Sequence, residues 1–366
     1  MGRNGRTMGV EEEFLLVDPV TRRTSPHAAA VLARAAKASL PEVAFQAELV
    51  ATQVEAATGV CDDLETLRRQ LGAARTCLSS AARAEGVRLV STGNPVLPGR
   101  AAPFMPGAHY ARIADILAGT VVGHEACGCH VHVGVPDREL AVGVLNHLRP
   151  WLPTLVALSV NSPFDHGRDS GYGSWRIQAQ ARFPGGGVPP RFASAAAYDE
   201  FLDRMVELGV LADRATTFWL ARPSPRLPTI EVRASDAAAT VDEAVLQAAL
   251  VRALVVTALG ELAGGREAPP VGEQLCTVAL WSAARYGLTG QGIHPIEERR
   301  TTARDLLEEL LRRIRPALEE TGDLRAVRAL IRKIGYGGTG AARQRIAAVH
   351  GLRSVVDMLV QQTGRP

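Results

Sequence analysis

The chain has 366 residues, of which 46% are hydrophobic and 22% are charged, a composition typical of a globular protein with an extensive core. Its 41 basic and 38 acidic residues nearly balance, so charge gives no reason to expect nucleic acid or an anionic membrane as a partner. No run of 18 apolar residues predicts a membrane span. Five scattered cysteines, an odd number, are typical of reduced thiols, and we expect a cytoplasmic protein.

The first predicted strand, Gly9–Val17, alternates acidic and apolar side chains. Because side chains point to opposite faces along a strand, Glu11 and Glu13 share one face and the apolar residues take the other, with Glu12 as the exception. A solvated edge strand is the simplest interpretation of each glutamate taken singly. The apolar run Phe14–Val17 favours a covered strand instead, so Glu11 and Glu13 are candidate metal ligands.

A hairpin is predicted next, over Val43–Glu55, and it offers Glu48, Gln53 and Glu55 to one face of the sheet. Helical patterns separate the polar strands from one another. The elements predicted between them are helices at His27–Ser39, Asp62–Glu85 and Asp137–Ser159, and a buried strand at Val87–Ser91.

The third polar strand, Gly128–Gly134, places His130 and His132 on one face and valines on the other. A single histidine in a strand is more often structural, but two at this spacing are suited to a metal or substrate site. Cys129 raises a zinc site as an alternative, since zinc prefers sulfur and nitrogen ligands. Cys129 and His130 point to opposite faces, however, and surroundings rich in carboxylates suit Mg²⁺ or Mn²⁺.

The long segment Asn161–Pro190 is rich in glycine and aromatic residues and shows little periodicity. Long loops inside compact domains are usually functional or disordered, and we predict an ordered loop at the active site. Packing of the aromatic side chains against one another is the alternative interpretation. The candidate substrate-binding residues of this loop are Tyr172, Trp175, Arg176 and Arg182.

The last polar strand, Thr229–Arg233, carries Glu231 and Arg233 on one face. A structural salt-bridge ladder is one interpretation of this pair. Together, however, the polar strands would bring carboxylates, two imidazoles and an arginine to one sheet face. Like charges at that density repel unless cations neutralise them, so we predict a site for several divalent metal ions.

The rest of the chain is predicted to be nearly all helical. A glycine run, Gly335–Gly340, precedes Arg343 and Arg345; it is either a helix connection or a segment that binds phosphate. Neither a GxxxxGK[ST] loop nor a GxGxxG motif after a strand is present. The predicted helices are Val241–Leu262, Glu273–Tyr286, Glu297–Thr321, Leu324–Lys333 and Ala341–Gln362.

Strands that occur in hairpins and isolated pieces predict an α+β fold rather than a parallel βαβ sheet. We expect a curved antiparallel sheet with helices on its apolar face and its ionisable face open. The prediction is a single catalytic domain over residues 1–366, with a sheet core at about 9–235 and a helical C-terminal part at about 240–362.

Taken together, these motifs resemble the type 2 glutamate–cysteine ligase family, also called carboxylate–amine ligases. The combination is specific in its order and spacing, although no single piece is. The matching segments are Gly9–Phe14, Gly128–Gly134, Asn161–Phe164, Gly171–Arg176, Thr229–Arg233 and Gly340–Arg345.

The resemblance implies a fold like the catalytic domain of glutamine synthetase, with ATP and divalent metals on the concave face of the sheet. Arg233 matches the arginine that meets the transferred phosphoryl group, and Arg343 and Arg345 are candidate phosphate ligands. The resemblance further implies that His132, Arg176 and Arg182 lie near the substrate. The residues that match metal ligands are Glu11, Glu13, Glu48, Glu55, His130 and Glu231.

The function implied is ATP-dependent ligation of a carboxylic acid to an amine through an acyl phosphate, with Mg²⁺ or Mn²⁺ as cofactor. The acid expected first is L-glutamate, activated at its γ-carboxylate, and the amine is cysteine or another amine; a homodimer is also suggested. Two alternatives remain at this point. One is a metal-dependent hydrolase that uses the His and Glu cluster to activate water, and the other is a non-catalytic nucleotide-binding relative.

Overall fold

The computed structural model describes residues 4–38 and 40–365, so Ser39, the predicted end of the first helix, lies outside them. The strands of this part are β1 Met8–Val17, β2 Val43–Ala47, β3 Gln53–Thr58, β4 Arg88–Val90, β5 Gly128–Gly134, β6 Phe164–Asp165, β7 Arg168–Asp169, β8 Ala221–Pro223, β9 Thr229–Asp236, β10 Gln291–His294 and β11 Arg299–Thr302. The helices are α1 Ala28–Ala35, α2 Leu64–Ala84, α3 Ala108–Leu117, α4 Arg138–Leu148, α5 Leu152–Ser159, α6 Trp175–Gln180, α7 Ala195–Glu207, α8 Val241–Ala263, α9 Glu273–Tyr286, α10 Ala303–Glu320, α11 Leu324–Gly337, α12 Gly340–Ala348 and α13 Leu352–Thr363.

The main sheet is antiparallel and follows the order β2-β3-β1-β5-β9-β8, with β4 pairing the end of β1. β3 pairs with one edge of β1 over residues 11–15, and β5 pairs with the other edge over residues 8–12. The polar strands predicted from the sequence are thus neighbours at the centre of one sheet. Alternation then places most of their ionisable side chains on a common face.

The helical side of this sheet is covered by α2, α4, α5 and α8. Val10, Val131, Val133, Ile230 and Val232 are buried there in one cluster with residues of these helices. Each of these side chains takes the face that alternation predicts. Full burial of a side chain of this kind stabilises a fold by about 1.5–3 kcal/mol.

Glu12 breaks the alternation because it is an acidic residue on the helical side. Arg75 of α2 lies there with it, and both side chains are 1% exposed. Arg75 donates to Glu12 through Nε at 2.9 Å and through Nη2 at 2.5 Å, and its Nη2 also donates to the Ala238 carbonyl at 2.7 Å. The buried carboxylate is therefore paired and hydrogen-bonded, as a charge in a core must be.

The ionisable face is not open along its whole length, and this part of the prediction is wrong. Leu15 and Val17 share the face of Glu11 and Glu13 by alternation, but they are apolar. α13 covers this end of the face, where Leu359 is buried in one cluster with Leu15 and Val17. Helices therefore pack against both faces of the sheet.

Two predicted helices differ from the structure in extent. The segment predicted as Glu297–Thr321 begins with β11, which pairs with β10, and α10 starts only after its N-cap Thr302. The predicted helix Ala341–Gln362 is split into α12 and α13 at Gly351, whose φ is +94°. Strand pairing in the first case and a left-handed backbone position in the second override helix propensity.

By length and composition alone, α8 could cross a membrane. Within the fold, however, 67% of its most apolar window is buried, and it packs against β1, β5, α4 and α10. Its apolar composition is therefore explained by its position as the central core helix.

Candidate active site

The register of the sheet aligns ionisable side chains in a row across four central strands. Residues that face each other on adjacent antiparallel strands have Cβ atoms about 4.5–5.5 Å apart, so their side chains meet. The facing pairs are Glu13 and Glu55 on β1 and β3, Glu11 and His130 on β1 and β5, and His132 and Glu231 on β5 and β9. Glu48, immediately after β2, joins the end of this row.

Three groups within this row have ligand atoms within 4.8 Å of one another, and they overlap because Glu11 and Glu55 each belong to two groups. The groups are Glu11, Glu55 and His130; Glu11, His132 and Glu231; and Glu13, Glu48 and Glu55. We call these seven residues the carboxylate cluster. Carboxylates shared between neighbouring groups are suited to holding several divalent cations side by side.

The histidines of the cluster have nitrogens available for a cation. Nε2 of His130 and Nε2 of His132 are buried and make no hydrogen bond with any residue that the structure describes. Thr229 Oγ1 lies 2.8 Å from Nδ1 of His132 and orients the ring, as is usual for a ligating histidine. Cys129 lies in the core on the helical side, so it cannot share a zinc ion with His130. Imidazole nitrogen with carboxylate oxygens fits Mg²⁺ or Mn²⁺.

Carboxylates crowd at the β3 end of the cluster. Burial raises the pKa of Glu48 to about 7, and the charge of Glu13 adds to this rise. Burial and the charges of Glu48 and Glu11 raise the pKa of Glu55 well above its ordinary value, and burial also raises the pKa of Glu13. Some of these carboxyl groups therefore keep protons near neutral pH, and a cation must displace them on binding.

Glu231, at the opposite end of the cluster, lies between two arginines. Arg222 donates to Glu231 Oε2 through Nε at 2.8 Å and to Glu231 Oε1 through Nη2 at 3.3 Å. Arg233 Nη1 donates to the same Oε1. Burial raises the pKa of Glu231, but the charges of Arg233 and Arg222 outweigh it and hold the pKa well below its ordinary value. Glu231 is therefore an ionised carboxylate, and it is only 2% exposed.

Arg233 stands where the cluster meets a pocket. Its Nη1 lies 3.5 Å from Nδ1 of His130, and its side chain is 19% exposed. Together with Glu13 and Glu48 of the cluster, it lines a pocket whose walls include α3 and residues 210–212 and 215–218. Arg222 supports one wall by donating to the carbonyls of Ala215 and Thr217.

A β-bulge in β9 explains a residue that strand alternation does not anticipate. Cys129 pairs with Ser235 but Val131 pairs with Val232, so two residues of β9 face His130 alone. Because of this extra residue, the Asp236 side chain points to the sheet face that the Asn161–Pro190 loop contacts. Its carboxylate accepts hydrogen bonds from the backbone N–H of Asn161 and from the hydroxyls of Ser162 and Ser174, and so fixes the loop.

The loop residues predicted to bind substrate are dispersed. Arg176 is 1% exposed and donates to the carbonyls of Arg233 and Ala234, so it is buried beside the cluster. Tyr172 and Trp175 pack edge to face, 5.6 Å apart, and the Tyr172 hydroxyl accepts a hydrogen bond from Trp281. Arg182 is exposed and lies over the Phe183 ring.

The two arginines after the glycine run make contacts outside the cluster. Arg343 donates to Glu243 at 2.7 Å, to the Gly338 carbonyl and to Gln362. Arg345 donates to Asp169 and to the Tyr172 carbonyl. The structure does not bring either arginine to the carboxylate cluster.

Sequence reasoning missed the pocket and Arg222. The pocket combines α3 with Phe218, Leu211 and other residues that are distant in the chain, and no local pattern joins them. Arg222 lies on β8 and pairs directly with Glu231. The one signal that could have suggested this pairing is the position of Arg222 shortly before Thr229–Arg233, because a hairpin formed there would bring Arg222 to Glu231.

The glutamate–cysteine ligase family 2 (GCS2) model matches residues 7–357. The chain belongs to this family. It is 52% identical over 364 residues to the "Putative glutamate–cysteine ligase 2-2" of Saccharopolyspora erythraea, covering 99% of this chain and 93% of that protein. It is 45% identical over 340 residues to the "Putative glutamate–cysteine ligase 2-1" of Nocardia farcinica, covering 92% and 88%.

Solved structures share the fold at low sequence identity. The glutamate–cysteine ligase of Francisella tularensis in complex with AMP superposes with a TM-score of 0.72 at 15% identity, covering 98% of this chain and 89% of that one. The ligase PafA in complex with the ubiquitin-like protein Pup gives a TM-score of 0.58 at 12% identity, covering 99% and 73%. The shared fold confirms the predicted α+β, glutamine synthetase-like architecture. Membership of the family and the 52% identical relative confirm an enzyme of the glutamate–cysteine ligase type.

Proposed function

We propose that this enzyme uses ATP to join a carboxylic acid to a primary amine through an acyl phosphate. L-glutamate, activated at its γ-carboxylate, is the first acid to test, because related proteins are named for glutamate. The observation that carries the proposal is the position of Arg233. Its guanidinium lies beside His130 of the carboxylate cluster and also lines the pocket, where a phosphoryl group held by the cluster would meet an organic substrate.

The proposed reaction proceeds in two steps. The carboxylate oxygen of the acid attacks the γ-phosphorus of ATP, which gives an acyl phosphate and releases ADP. The neutral amine nitrogen then attacks the acyl carbon, so that a C–N bond forms and the bond from the acyl carbon to the phosphate oxygen breaks. Phosphate leaves with that electron pair, and the proton lost from the nitrogen passes to solvent or to the departing phosphate. Phosphoryl transfer of this kind depends on positioning and on positive charge beside the phosphoryl oxygens.

The side chains that would hold divalent cations are those of the carboxylate cluster. Bound Mg²⁺ or Mn²⁺ supplies positive charge next to phosphate oxygens. The planar guanidinium of Arg233 adds N–H donors from the protein itself, and two oxygens of a phosphoryl group can accept hydrogen bonds from it at once. Arg222 also binds Glu231 and helps to hold its carboxylate in place. Arg233 uses only Nη1 for this carboxylate, so the rest of its guanidinium can contact the substrate.

The test is a hydroxylamine trap. Wild-type protein is incubated with ATP, Mg²⁺, hydroxylamine and a panel of acids led by L-glutamate, and hydroxamate and ADP are measured. We expect hydroxamate and ADP in equal amounts that depend on the acid. Arg233→Lys should reduce the rate by about a hundredfold or more, because a point charge does not replace the fork.

The matched control is Arg315→Lys, because Arg315 forms an exposed pair with Glu319 on α10, and its rate should equal that of the wild type. Absence of hydroxamate and ADP with every acid would refute the proposal. Hydrolysis of an amide without ATP would instead identify the metal-dependent hydrolase.

A further inference from the structure

Two buried polar side chains on the wall of the pocket have hydrogen-bonding atoms that the fold leaves unused. Gln53 is 3% exposed and His124 is 7% exposed, and both line the pocket together with Arg233. A buried polar atom without a partner is costly, so nearly all such atoms are paired with protein, water or ligand. The two side chains therefore indicate a polar recognition site inside this pocket.

The side-chain amide of Gln53 is oriented by the chain itself. Its Nε2 donates to the Ala126 carbonyl at 2.8 Å and to Cys127 Sγ at 3.1 Å. Because a carbonyl oxygen only accepts, the NH₂ group must lie on this side and Oε1 on the other. Alternation along β3 places Gln53 on the same face as Glu55, and none of the described residues donates to its Oε1. The pocket thus contains an acceptor of fixed direction, which is suited to an N–H or O–H donor of a ligand.

The ring of His124 is held by packing alone. It lies edge to face against Phe183 and Phe218, with ring centroids 4.6 Å and 6.4 Å away, and no described residue hydrogen-bonds to its nitrogens. Burial, followed by the charges of Arg182 and Arg176, lowers the pKa of His124 to about 3. The ring is therefore neutral and keeps one N–H donor. The same two arginines make its surroundings positive, so a carboxylate of a ligand would be stabilised there.

We infer that Gln53 and His124 determine the specificity for the acid, and that this acid is an α-amino acid. Gln53 Oε1 accepts a hydrogen bond from its α-ammonium group, and the His124 N–H donates to its α-carboxylate. The distal carboxylate extends to Arg233, which lines the same pocket, and is activated there. The inference rests on the proposed ligase function and assigns residues to the binding of its first substrate.

The experiment uses the hydroxylamine trap, because it keeps the amine constant and isolates the choice of acid. L-glutamate is compared with glutarate, which lacks the α-amino group, and with 4-aminobutyrate, which lacks the α-carboxylate. We expect kcat/KM for L-glutamate to exceed that for either analogue by about a hundredfold or more, because each analogue leaves a buried polar group unpaired. If another amino acid gives more hydroxamate, its own two analogues are used.

Two variants separate the two contacts. Gln53→Met keeps the length of the side chain without its acceptor, so the ratio of kcat/KM for L-glutamate to that for glutarate should fall by about tenfold or more. The ratio of L-glutamate to 4-aminobutyrate should change by less than about threefold. His124→Phe keeps the aromatic packing and should have the opposite pattern, with only the second ratio falling by about tenfold or more.

The matched controls are Gln274→Met and His350→Phe, at exposed positions on α9 and between α12 and α13, and both wild-type ratios should persist in them. Circular dichroism shows whether each variant folds. If Gln53→Met does not fold, Gln53→Asn replaces it. That variant withdraws the acceptor by one methylene group and should lower the ratio of L-glutamate to glutarate in the same direction.

Three results would overturn the inference and leave the proposed function intact. The first is hydroxamate formation from glutarate or 4-aminobutyrate as efficient as that from L-glutamate. The second is a pair of unchanged ratios in folded Gln53→Met and His124→Phe. The third is a change confined to the KM for hydroxylamine, which would assign the two residues to the amine. Absence of hydroxamate with every acid would instead refute the proposed ligase function.

Discussion

Three consecutive glutamates on β1 show how position alone decides the chemistry of a side chain. Glu11 and Glu13 point to the carboxylate cluster, whereas Glu12 points into the helical core and is neutralised by Arg75. The sequence identifies Glu12 as the exception to alternation. It does not reveal the partner, because Arg75 is 63 residues away on α2.

The first prediction at this scale concerns Glu12. Glu12→Gln leaves the Arg75 charge buried without its carboxylate, so the free energy of unfolding should fall by about 3–5 kcal/mol. Urea denaturation followed by circular dichroism measures this change. The matched control is Glu319→Gln, which removes the exposed partner of Arg315 and should change the free energy of unfolding by less than about 1 kcal/mol. Equal changes in the two variants would show that the Glu12 pair is not stabilising.

Other residues of the site could be anticipated only in part. Alternation is enough to place Glu11, Glu13, His130 and His132 on one face, since it depends on local spacing alone. The bulge in β9 cannot be read in this way, because a register shift depends on the partner strand. For that reason Asp236, which fixes the active-site loop, was not foreseen.

At the scale of elements, the sequence predicts where helices form better than it predicts which face they cover. The pattern of β1 contains the necessary signal, since Leu15 and Val17 continue the face of Glu13 with apolar side chains. Apolar side chains at one end of an ionisable face must be shielded from water, and α13 packs over them. The identity of the covering helix depends on packing at long range, which periodicity does not encode.

The second prediction concerns this covering helix. Leu359 of α13 is 1% exposed and is buried in the same cluster as Leu15, so Leu359→Ala should lower the free energy of unfolding by about 2–5 kcal/mol. Leu208→Ala is the control, since Leu208 is 66% exposed, and it should stay within about 0.5 kcal/mol of the wild type. A loss below 1 kcal/mol in Leu359→Ala would mean that α13 does not cover the sheet.

At the scale of the whole molecule, the fold concentrates negative charge at its centre although the net charge is only +3. The cluster is divided electrostatically. Arg233 and Arg222 compensate Glu231 at one end, whereas Glu13, Glu48 and Glu55 crowd together at the other. Bound divalent cations would remove this imbalance, so the stability of the protein should depend on metal and pH together.

The third prediction follows from the sign of these shifts. The pKa of Glu48 is raised to about 7 and that of Glu55 is raised well above its ordinary value, so the folded protein binds more protons than the unfolded chain above about pH 4.5. Without metal, this part of the stability is present at low pH and is lost as pH rises toward 7 and beyond. Glu11 and Glu231 have lowered pKa values and act in the opposite sense. Their contribution changes the stability with pH only below about pH 4.5, outside the range compared.

Thermal unfolding in EDTA and in Mg²⁺, at about pH 5.5 and about pH 8, measures the coupling. Because Mg²⁺ competes with protons for the same carboxylates, the increase in Tm on adding Mg²⁺ should be several degrees larger at the higher pH. Glu55→Gln removes a carboxyl group that belongs to two ligand groups, so this difference between the two pH values should shrink. An increase in Tm that is the same at both pH values in the wild type would show that the cations bind elsewhere, because binding to the carboxylate cluster must displace its protons.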